Sequence, residues 1–335
     1  MEILITGGGG LLGRHLVPAL LDRGDRVRVL ALPDENVSWL EEYGVTVYRG
    51  DICQQETLAQ PMEGAEGVLH LAAMMGAWRP LQDYRSVNVI GTENVCRVAL
   101  ERGIHRFVHI SSWTVYGMGL PMPCHEDFRL EPFSEPYAIT KAEGDKLVQR
   151  MIAEEGLPAV IIRPGTFFGP GDRLHFGRIA DRVRSRRAII VGRGDNALPF
   201  VYVTDVVQGL LLALVHERAV GQAFNITNDM PLTQQELLQA IAQEIDVKPP
   251  RLHIPYGALY APAYAAEYLA TTMRSRRQPP LTRLGVKLFG TNNRHAIDKA
   301  RRELGYSPRV ALHEGVRLAA SWYLKENPQT GARVE

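Results

Sequence analysis

The 335-residue sequence predicts an α/β fold, a doubly wound parallel sheet with a smaller carboxy-terminal domain. Three observations carry that expectation. Short apolar runs alternate with segments of helical period through the first half, the pattern of parallel strands joined by crossover helices. The first run leads directly into a glycine-rich turn. Finally, the conspicuous clusters Gly7 to Gly13, Asp51, Leu71 to Ala73, Ser112 and Pro164 to Thr166 all fall at the carboxyl ends of expected strands, where open parallel sheets bind ligands.

Taken in order, Glu2-Ile3-Leu4-Ile5-Thr6 reads as a short buried strand. It runs into Gly7-Gly8-Gly9-Gly10-Leu11-Leu12-Gly13, after which Leu12, Leu16, Leu20 and Leu21 recur at helical spacing. Gly7, Gly10 and Gly13 permit a tight turn, close approach of a pyrophosphate to backbone N–H groups, and close packing of helix on strand. The unit therefore predicts a dinucleotide site. Further strands are expected over 27–32, 46–49, 67–73, 107–111 and 159–163. A helix is expected over 85–101, ending at Gly103. Ser134 is read as the N-cap of a second helix, with Pro136 in its first turn and a stop at Gly156.

Composition narrows the class. Hydrophobic content of 45% and charged content of 22% are ordinary globular values, and the length suits about two domains' worth of core. A formal charge of +1 supplies no global field for nucleic acid. Cys53, Cys96 and Cys124 are widely spaced and form no Cys-x-x-Cys, as expected of reduced thiols in a cytoplasmic protein. The first strand follows the initial Met at once, leaving no room for a secretory signal. The apolar segment 254–273 is broken by Pro255 and Pro262 and carries Glu267, so it is not expected to span a bilayer. His70 and His109 lie in apolar strands and no His-Glu-x-x-His appears, so no catalytic metal is expected.

The chemistry is carried by Tyr137 and Lys141 in Glu135-Pro136-Tyr137-Ala138-Ile139-Thr140-Lys141. Residues four apart share a helix face, so the Lys141 ammonium can favour the Tyr137 phenolate. Chance supplies such a pair about once in five chains of this composition, and its placement is what gives it weight. The polar stretch Ser111-Ser112-Trp113-Thr114-Val115-Tyr116-Gly117 lies shortly upstream, at a strand end. Together these predict a proton-transfer site, with Ser112 holding an oxygen in place. No Gly-x-Ser-x-Gly elbow makes that serine a nucleophile.

With these residues in view, the chain resembles the extended short-chain dehydrogenases/reductases over nearly its whole length. The resemblance rests on the glycine turn, Gly50-Asp51-Ile52, His70-Leu71-Ala72-Ala73, the segment from Asn88 to Val95, the two polar clusters, the segment from Arg163 to Gly171, and Phe200-Val201-Tyr202-Val203-Thr204-Asp205-Val206. It implies a Rossmann domain over 1–170 and 196–218, with a substrate-binding domain over 171–195 and 219–335. It implies Tyr137 as acid/base, Lys141 as the group that lowers its pKa and binds the nicotinamide ribose, and Ser112 as hydrogen-bond partner of the reacting oxygen, with Thr114 beside it. Cofactor contacts would come from Gly7, Gly10, Leu11, Leu12, Gly13, Asp51, Ile52, Leu71, Ala72, Ala73, Asn88, Tyr137, Lys141, Pro164 and Thr166. A homodimer through helices 85–101 and 137–155 is implied as well.

The cofactor expected is NAD, with NADP as the alternative. Ala31 ends the second strand and Leu32-Pro33-Asp34-Glu35 follows, so the surroundings are acidic rather than basic unless Arg14 or Arg28 reaches in. The segments 221–229 and 300–308 resemble the 3β-hydroxysteroid and sterol dehydrogenase branch. Thr166 stands where the sugar-nucleotide epimerases carry Asn, which weakens that second reading. The leading expectation is thus an NAD(P)-dependent oxidoreductase acting on a hydrophobic secondary alcohol or ketone; an epimerase/dehydratase and a non-catalytic dinucleotide sensor are the alternatives. Two arginine runs, one from Arg182 to Arg187 and one at Arg274, Arg276 and Arg277, are read as solvated faces or as contacts to an anionic substrate or membrane. Tyr256, Tyr260, Tyr264 and Tyr268 repeat every four residues, a stripe read as packing or as the cover of a greasy substrate.

Overall fold

Strand β1 (Glu2–Thr6) is fully buried because both faces of the sheet are covered, and its alternation divides the core in two. Ile3 and Ile5 face one layer with Leu16, Val206 and Val316; Leu4 faces the other with Val95, Val148 and Phe107. The computed structural model describes residues 1–120, 123–273, 275 and 277–328. Arg274 and Arg276 of the second basic run lie outside them.

The remaining strands are β2 (Arg26–Ala31), β3 (Thr46–Arg49), β4 (Gly67–His70), β5 (Arg106–Ile110), β6 (Ala159–Pro164), β7 (Thr166–Phe168), β8 (Ile190–Val191), β9 (Phe200–Tyr202), β10 (Ala223–Ile226) and β11 (His253–Ile254). Seven of them form one sheet in the order β10-β6-β5-β4-β1-β2-β3, every pairing parallel. The order reverses between β1 and β4, so the loops leaving their carboxyl ends diverge and open a crevice. Two short pairs, β7 with β9 and β8 with β11, lie outside this sheet. The expected doubly wound α/β sheet is the fold observed.

Three local expectations change. Residues 223–226, assigned from sequence to the smaller domain, form the edge strand beside β6, because Ala223 to Ile226 register against Ile161 to Pro164. The helix expected from residue 85 begins at Leu81 and passes through a wider turn over Ser86–Gly91 before Thr92–Glu101. That turn fits where Gly91 packs on Ile52 and Gly144 on the Asn88 carbonyl, with Thr92 Oγ1 donating to the same carbonyl. Helix Pro136–Glu155 is capped by Glu135 rather than Ser134: the Glu135 carboxylate accepts from the Ala138 N–H at 3.1 Å. Its end matches expectation, with Gly156 left-handed at φ 71°.

The second half adds helices Phe176–Arg184, Gln234–Glu244, Tyr256–Thr272, Arg283–Gly290 and Leu312–Glu326. Thr233 and Glu236 close a reciprocal cap on the second of these. Helices Tyr256–Thr272 and Arg283–Gly290 share a small apolar cluster of Leu259, Ala263 and Val286. This places them over the mouth of the crevice.

Candidate active site

The glycine turn is set by space. Gly7 has φ 71°, and a Cβ there would stand 2.7 Å from the Ala72 backbone in the loop after β4; a Cβ on Gly13 would stand 1.9 Å from the Gly8 carbonyl. Helix Leu11–Asp22 starts at Gly10 with no side-chain cap and no acidic residue in its first turn. Its opening N–H groups keep their hydrogen-bonding capacity at the positive end of the helix dipole, which suits an anion. From here a cleft of about 1650 Å³ runs across the ends of β1, β4, β5 and β6.

The cleft gathers most of the residues expected from sequence. Gly7, Gly10, Leu11 and Leu12 line one end, with Asp51 and Ile52; Leu71, Ala72 and Ala73 line its middle. Ser112, Thr114, Tyr137, Lys141, Pro164 and Thr166 line the other. Gly13 acts through the turn's backbone packing. Asn88 is the exception: it is buried away from the cleft, where its amide bonds the Met74 N–H and carbonyl and the Thr140 hydroxyl. It ties the loop after β4 to helix Pro136–Glu155, which is a positioning role.

The polar cluster at the end of β5 folds as a short 3-10 turn, Trp113–Tyr116, with the Ser112 side chain accepting from the Thr114 N–H. The Thr114 hydroxyl donates to Ser112 Oγ at 2.9 Å, which fixes the serine oxygen at the cleft wall. Trp113 Nε1 donates to Thr166 Oγ1 at 3.0 Å, so the residue at the epimerase Asn position holds the indole. Burial pushes the Tyr137 phenol up to about 12, and a hydrogen bond with Ser112 opposes that rise. Burial also pushes the Lys141 ammonium down to about 8, with the Asp145 charge opposing. The Lys141 ammonium donates to the Ile110 carbonyl at the end of β5, one turn below the phenol.

Beneath this cluster lies a buried ion pair that no sequence pattern announces. Arg163 Nε and Nη2 each reach an Asp145 carboxylate oxygen at 2.9 Å, and both side chains are at most 2% exposed. Ser111 and Gln149 donate to the same carboxylate at 2.5 and 2.6 Å, and Arg163 also donates to the Tyr116 hydroxyl and the Glu126 carbonyl. Burial would raise the Asp145 carboxyl, but Arg163 holds it below its ordinary range. Next to it His70 and His109 stack at 5.5 Å, and burial drives both far below their usual pKa, so they are neutral at pH 7.

Glu35 enters the sequence reading only through its sign, and the structure gives it a place. Its carboxylate oxygen lies 2.1 Å from where a Gly9 Cβ would stand, and it accepts from the Leu32 N–H. Arg49 holds this loop through the Leu32 and Glu35 carbonyls. Of the two arginines considered as phosphate partners, Arg28 is paired with Glu2, and Arg14 is exposed and lies 5.0 Å over the Trp39 ring. Farther along, Arg79 and Arg178 line the cleft without a carboxylate partner among the described residues. Arg182 and Arg184 of the first basic run bond the Pro280 and Asn327 carbonyls. The tyrosine stripe splits: Tyr256 and Tyr260 stack at 5.4 Å, whereas Tyr264 and Tyr268 line the cleft mouth.

Comparison with known proteins matches residues 3–227 to the model of the NAD dependent epimerase/dehydratase family. The chain is 33% identical to 2-alkyl-3-oxoalkanoate reductase of Stenotrophomonas maltophilia (strain K279a), over 95% of this chain and 98% of that protein. It is 30% identical to the decarboxylating sterol-4-alpha-carboxylate 3-dehydrogenase of Mus musculus, over 93% of this chain and 88% of that protein. The crystal structure of gox2253 superposes with a TM-score of 0.82 at 29% identity, covering 97% of this chain and 98% of that one. The uncapped start of helix Leu11–Asp22, the space reserved at Gly7 and the cleft leading to Tyr137 and Lys141 fit the cofactor in that family description.

Proposed function

The chain belongs to the NAD dependent epimerase/dehydratase family and is an NAD-dependent oxidoreductase, and on that premise we propose that it interconverts a secondary alcohol and a ketone on hydrophobic carboxylic acids. The observation that carries this reading is the grouping of Ser112, Thr114 and Tyr137 hydroxyls on the wall of a largely apolar cleft. NAD, when bound, takes or returns the hydride. Tyr137 passes a proton to or from the substrate oxygen, and Ser112 holds that oxygen in line. The Lys141 cation favours the phenolate and offers donors toward a ribose. The runner-up, a nucleotide-sugar epimerase, is disfavoured because Thr166 is engaged by Trp113.

The substrate class follows from a feature common to two relatives. A 3-oxoalkanoate and a sterol 4-carboxylate oxidised at carbon 3 both place the reacting carbon β to a carboxylate. Arg79 and Arg178 supply the matching countercharge on the cleft wall. Arg178 comes from the smaller domain, residues 171–195 and the chain beyond β10, whereas Arg79 comes from the loop after β4. The protein is assigned to the cytoplasm, in keeping with three unpaired cysteines. A homodimer would join the faces bearing Ile90 and Arg97 with the outer face of Pro136–Glu155; the sedimentation coefficient tests it.

The decisive comparison pairs a long-chain 3-oxo acid with its methyl ester. NADH-dependent reduction of the acid, lost by a factor of ~10²–10⁴ in Tyr137→Phe, is the expected result. Equal turnover of acid and ester would remove the carboxylate from the assignment, and full activity in Tyr137→Phe would remove the mechanism.

A further inference from the structure

Leu174, His175 and Arg178 line the cleft where helix Phe176–Arg184 begins. Just before them Asp172 is 2% exposed, and its carboxylate accepts from the Leu174, His175 and Phe176 N–H groups at 3.0, 2.8 and 2.8 Å. The carboxylate is therefore held in place, and it fixes the turn that carries His175. The imidazole Nδ1 lies 3.7 Å from Asp172 Oδ1, beyond hydrogen-bond reach. Neither ring nitrogen has a hydrogen-bond partner among the described residues, although the side chain is only 32% exposed.

Burial holds this imidazole below its usual pKa; the Asp172 charge opposes that fall and the Arg178 charge adds to it. His175 is thus neutral at pH 7, in the field of a fixed anion and a nearby cation, and these are the two charged groups that bear on it. Arg178, three residues on, is its neighbour across one helical turn and has no carboxylate partner among the described residues. The loop after β4 meets the same wall, since a Cβ on Gly76 would stand 2.8 Å from Leu174 Cδ1, and that loop carries Arg79.

We propose that His175 is a specificity-determining residue for carboxylate substrates, taking up a proton from solvent as the acid docks against Arg178 and donating a hydrogen bond to it. Both ring nitrogens are donors in the protonated ring, so it bridges the fixed Asp172 carboxylate and the bound one. A second negative charge beside the ring offsets the cost of burying its charge. A neutral ester brings no such charge and leaves the ring unprotonated, so His175 adds a discrimination between acid and ester that an arginine, always charged, does not supply. The inference rests on the acid-substrate reading above.

The test is isothermal calorimetry of decanoate, which has no ketone to reduce, and of its neutral twin decanamide on the NADH-loaded protein at pH 7, in buffers of low and high ionisation enthalpy. Lys141, at about 8, is already largely charged there, so proton uptake reports the imidazole. The wild type is expected to bind decanoate with net proton uptake, and its affinity to fall between about pH 6 and 7.5 while that for decanamide stays level. His175→Gln should abolish the uptake and weaken decanoate by about tenfold to a hundredfold, with decanamide unchanged. The pH profile needs no variant and decides the matter if the substitution disturbs the helix start. Decanoate binding without proton uptake, or uptake and affinity that persist in a folded His175→Gln protein, overturns the proposal even where 3-oxo acids are reduced. Equal affinity of the wild type for decanoate and decanamide removes both the proposal and the carboxylate from the assignment. Proton-linked decanoate binding by a protein that reduces no ketone upholds the role of His175 and removes the catalytic reading instead.

Discussion

Replacing Asp145 by Asn isolates the charge beneath the active site, because the amide keeps the side chain's shape while the carboxylate that raises the Lys141 pKa disappears. Side chains four apart on a helix are about 6 Å from each other, and at an effective dielectric near 20 two unit charges there interact by about 3 kcal/mol, or about two pK units. Arg163, at 2.9 Å from both oxygens, already cancels much of the Asp145 field, so the net effect is on the order of one unit. Lys141 should therefore fall from about 8 to ~7 or below. On the proposed mechanism both Tyr137 and Lys141 are needed protonated in the reduction direction, so kcat/KM should decline as pH rises through the Lys141 pKa. The assay is that profile between about pH 6 and 10, with the falling limb displaced downward by about one unit in Asp145→Asn. Gln149→Leu, which removes a 2.6 Å bond to the same carboxylate but no charge, should leave the limb in place. The unpaired Arg163 costs about 3–5 kcal/mol of stability, so both variants are assayed below the onset of melting. A limb that stays put in a folded Asp145→Asn protein would refute the electrostatic role and leave Asp145 a purely structural residue.

Two further outcomes follow from the same geometry. Glu35→Arg should raise the NADPH/NADH ratio of kcat/KM by roughly tenfold to a hundredfold, since a carboxylate beside Gly9 repels a 2′-phosphate and a guanidinium attracts it; an unchanged ratio places that phosphate elsewhere. Lys141→Met should remove a pH dependence of stability: the folded pKa of about 8 lies below the unfolded value, so the folded protein gains stability as pH rises between about 8 and 10.5, on the order of 3 kcal/mol, and loses it as pH falls through 8. Parallel urea midpoints for wild type and variant across that window would show Lys141 to be no source of it.

What is legible in the sequence is whatever a local pattern determines. Strands β1 to β6 and the glycine turn announce themselves through period and breakers within a few residues, and the parallel order follows from chain crossovers. Tyr137 and Lys141 belong to one helix, so their spacing alone puts them on one face. Asp145 and Arg163 are different: 18 residues apart, on a helix and a strand, they meet only once the sheet has formed, and neither stands in a distinctive local pattern. Glu35 is hidden for the same reason, since the path of its loop, pinned by Arg49, carries the carboxylate back to Gly9. The early start at Leu81 goes with tertiary contacts of Tyr84, Arg85 and Gly91 with Ala77, Glu143 and Ile52, and the helix that follows Ser134 takes its cap one residue later, from Glu135 to the Ala138 N–H. Edge strand β10 escapes sequence reading because four residues of strand look alike in either domain.

The charges beneath the site also explain why it has the sign it needs. Burial strips His70 and His109 of their protons, which leaves Lys141, Asp145 and Arg163 as the charged groups of that cluster, a net of +1 below the Tyr137 phenol. A protonated imidazole at either position would depress Lys141 further; neutral rings fill the same space without that penalty. A net positive charge has the sign that would favour a phenolate, against which burial and the Glu135 charge act. All of this machinery hangs on the ends of β4, β5 and β6 and the start of one helix, whereas the apolar walls come from helices Tyr256–Thr272 and Arg283–Gly290 and the segment around Leu174 to Arg178. Arg178 therefore stands on a different element from the proton-transfer cluster, whereas Arg79 belongs to the loop after β4. Substituting Arg178 should alter KM and the preference for acid over ester while leaving the position of the Lys141 limb untouched, and a shift in that limb would mean that the wall and the proton-transfer cluster are one electrostatic unit.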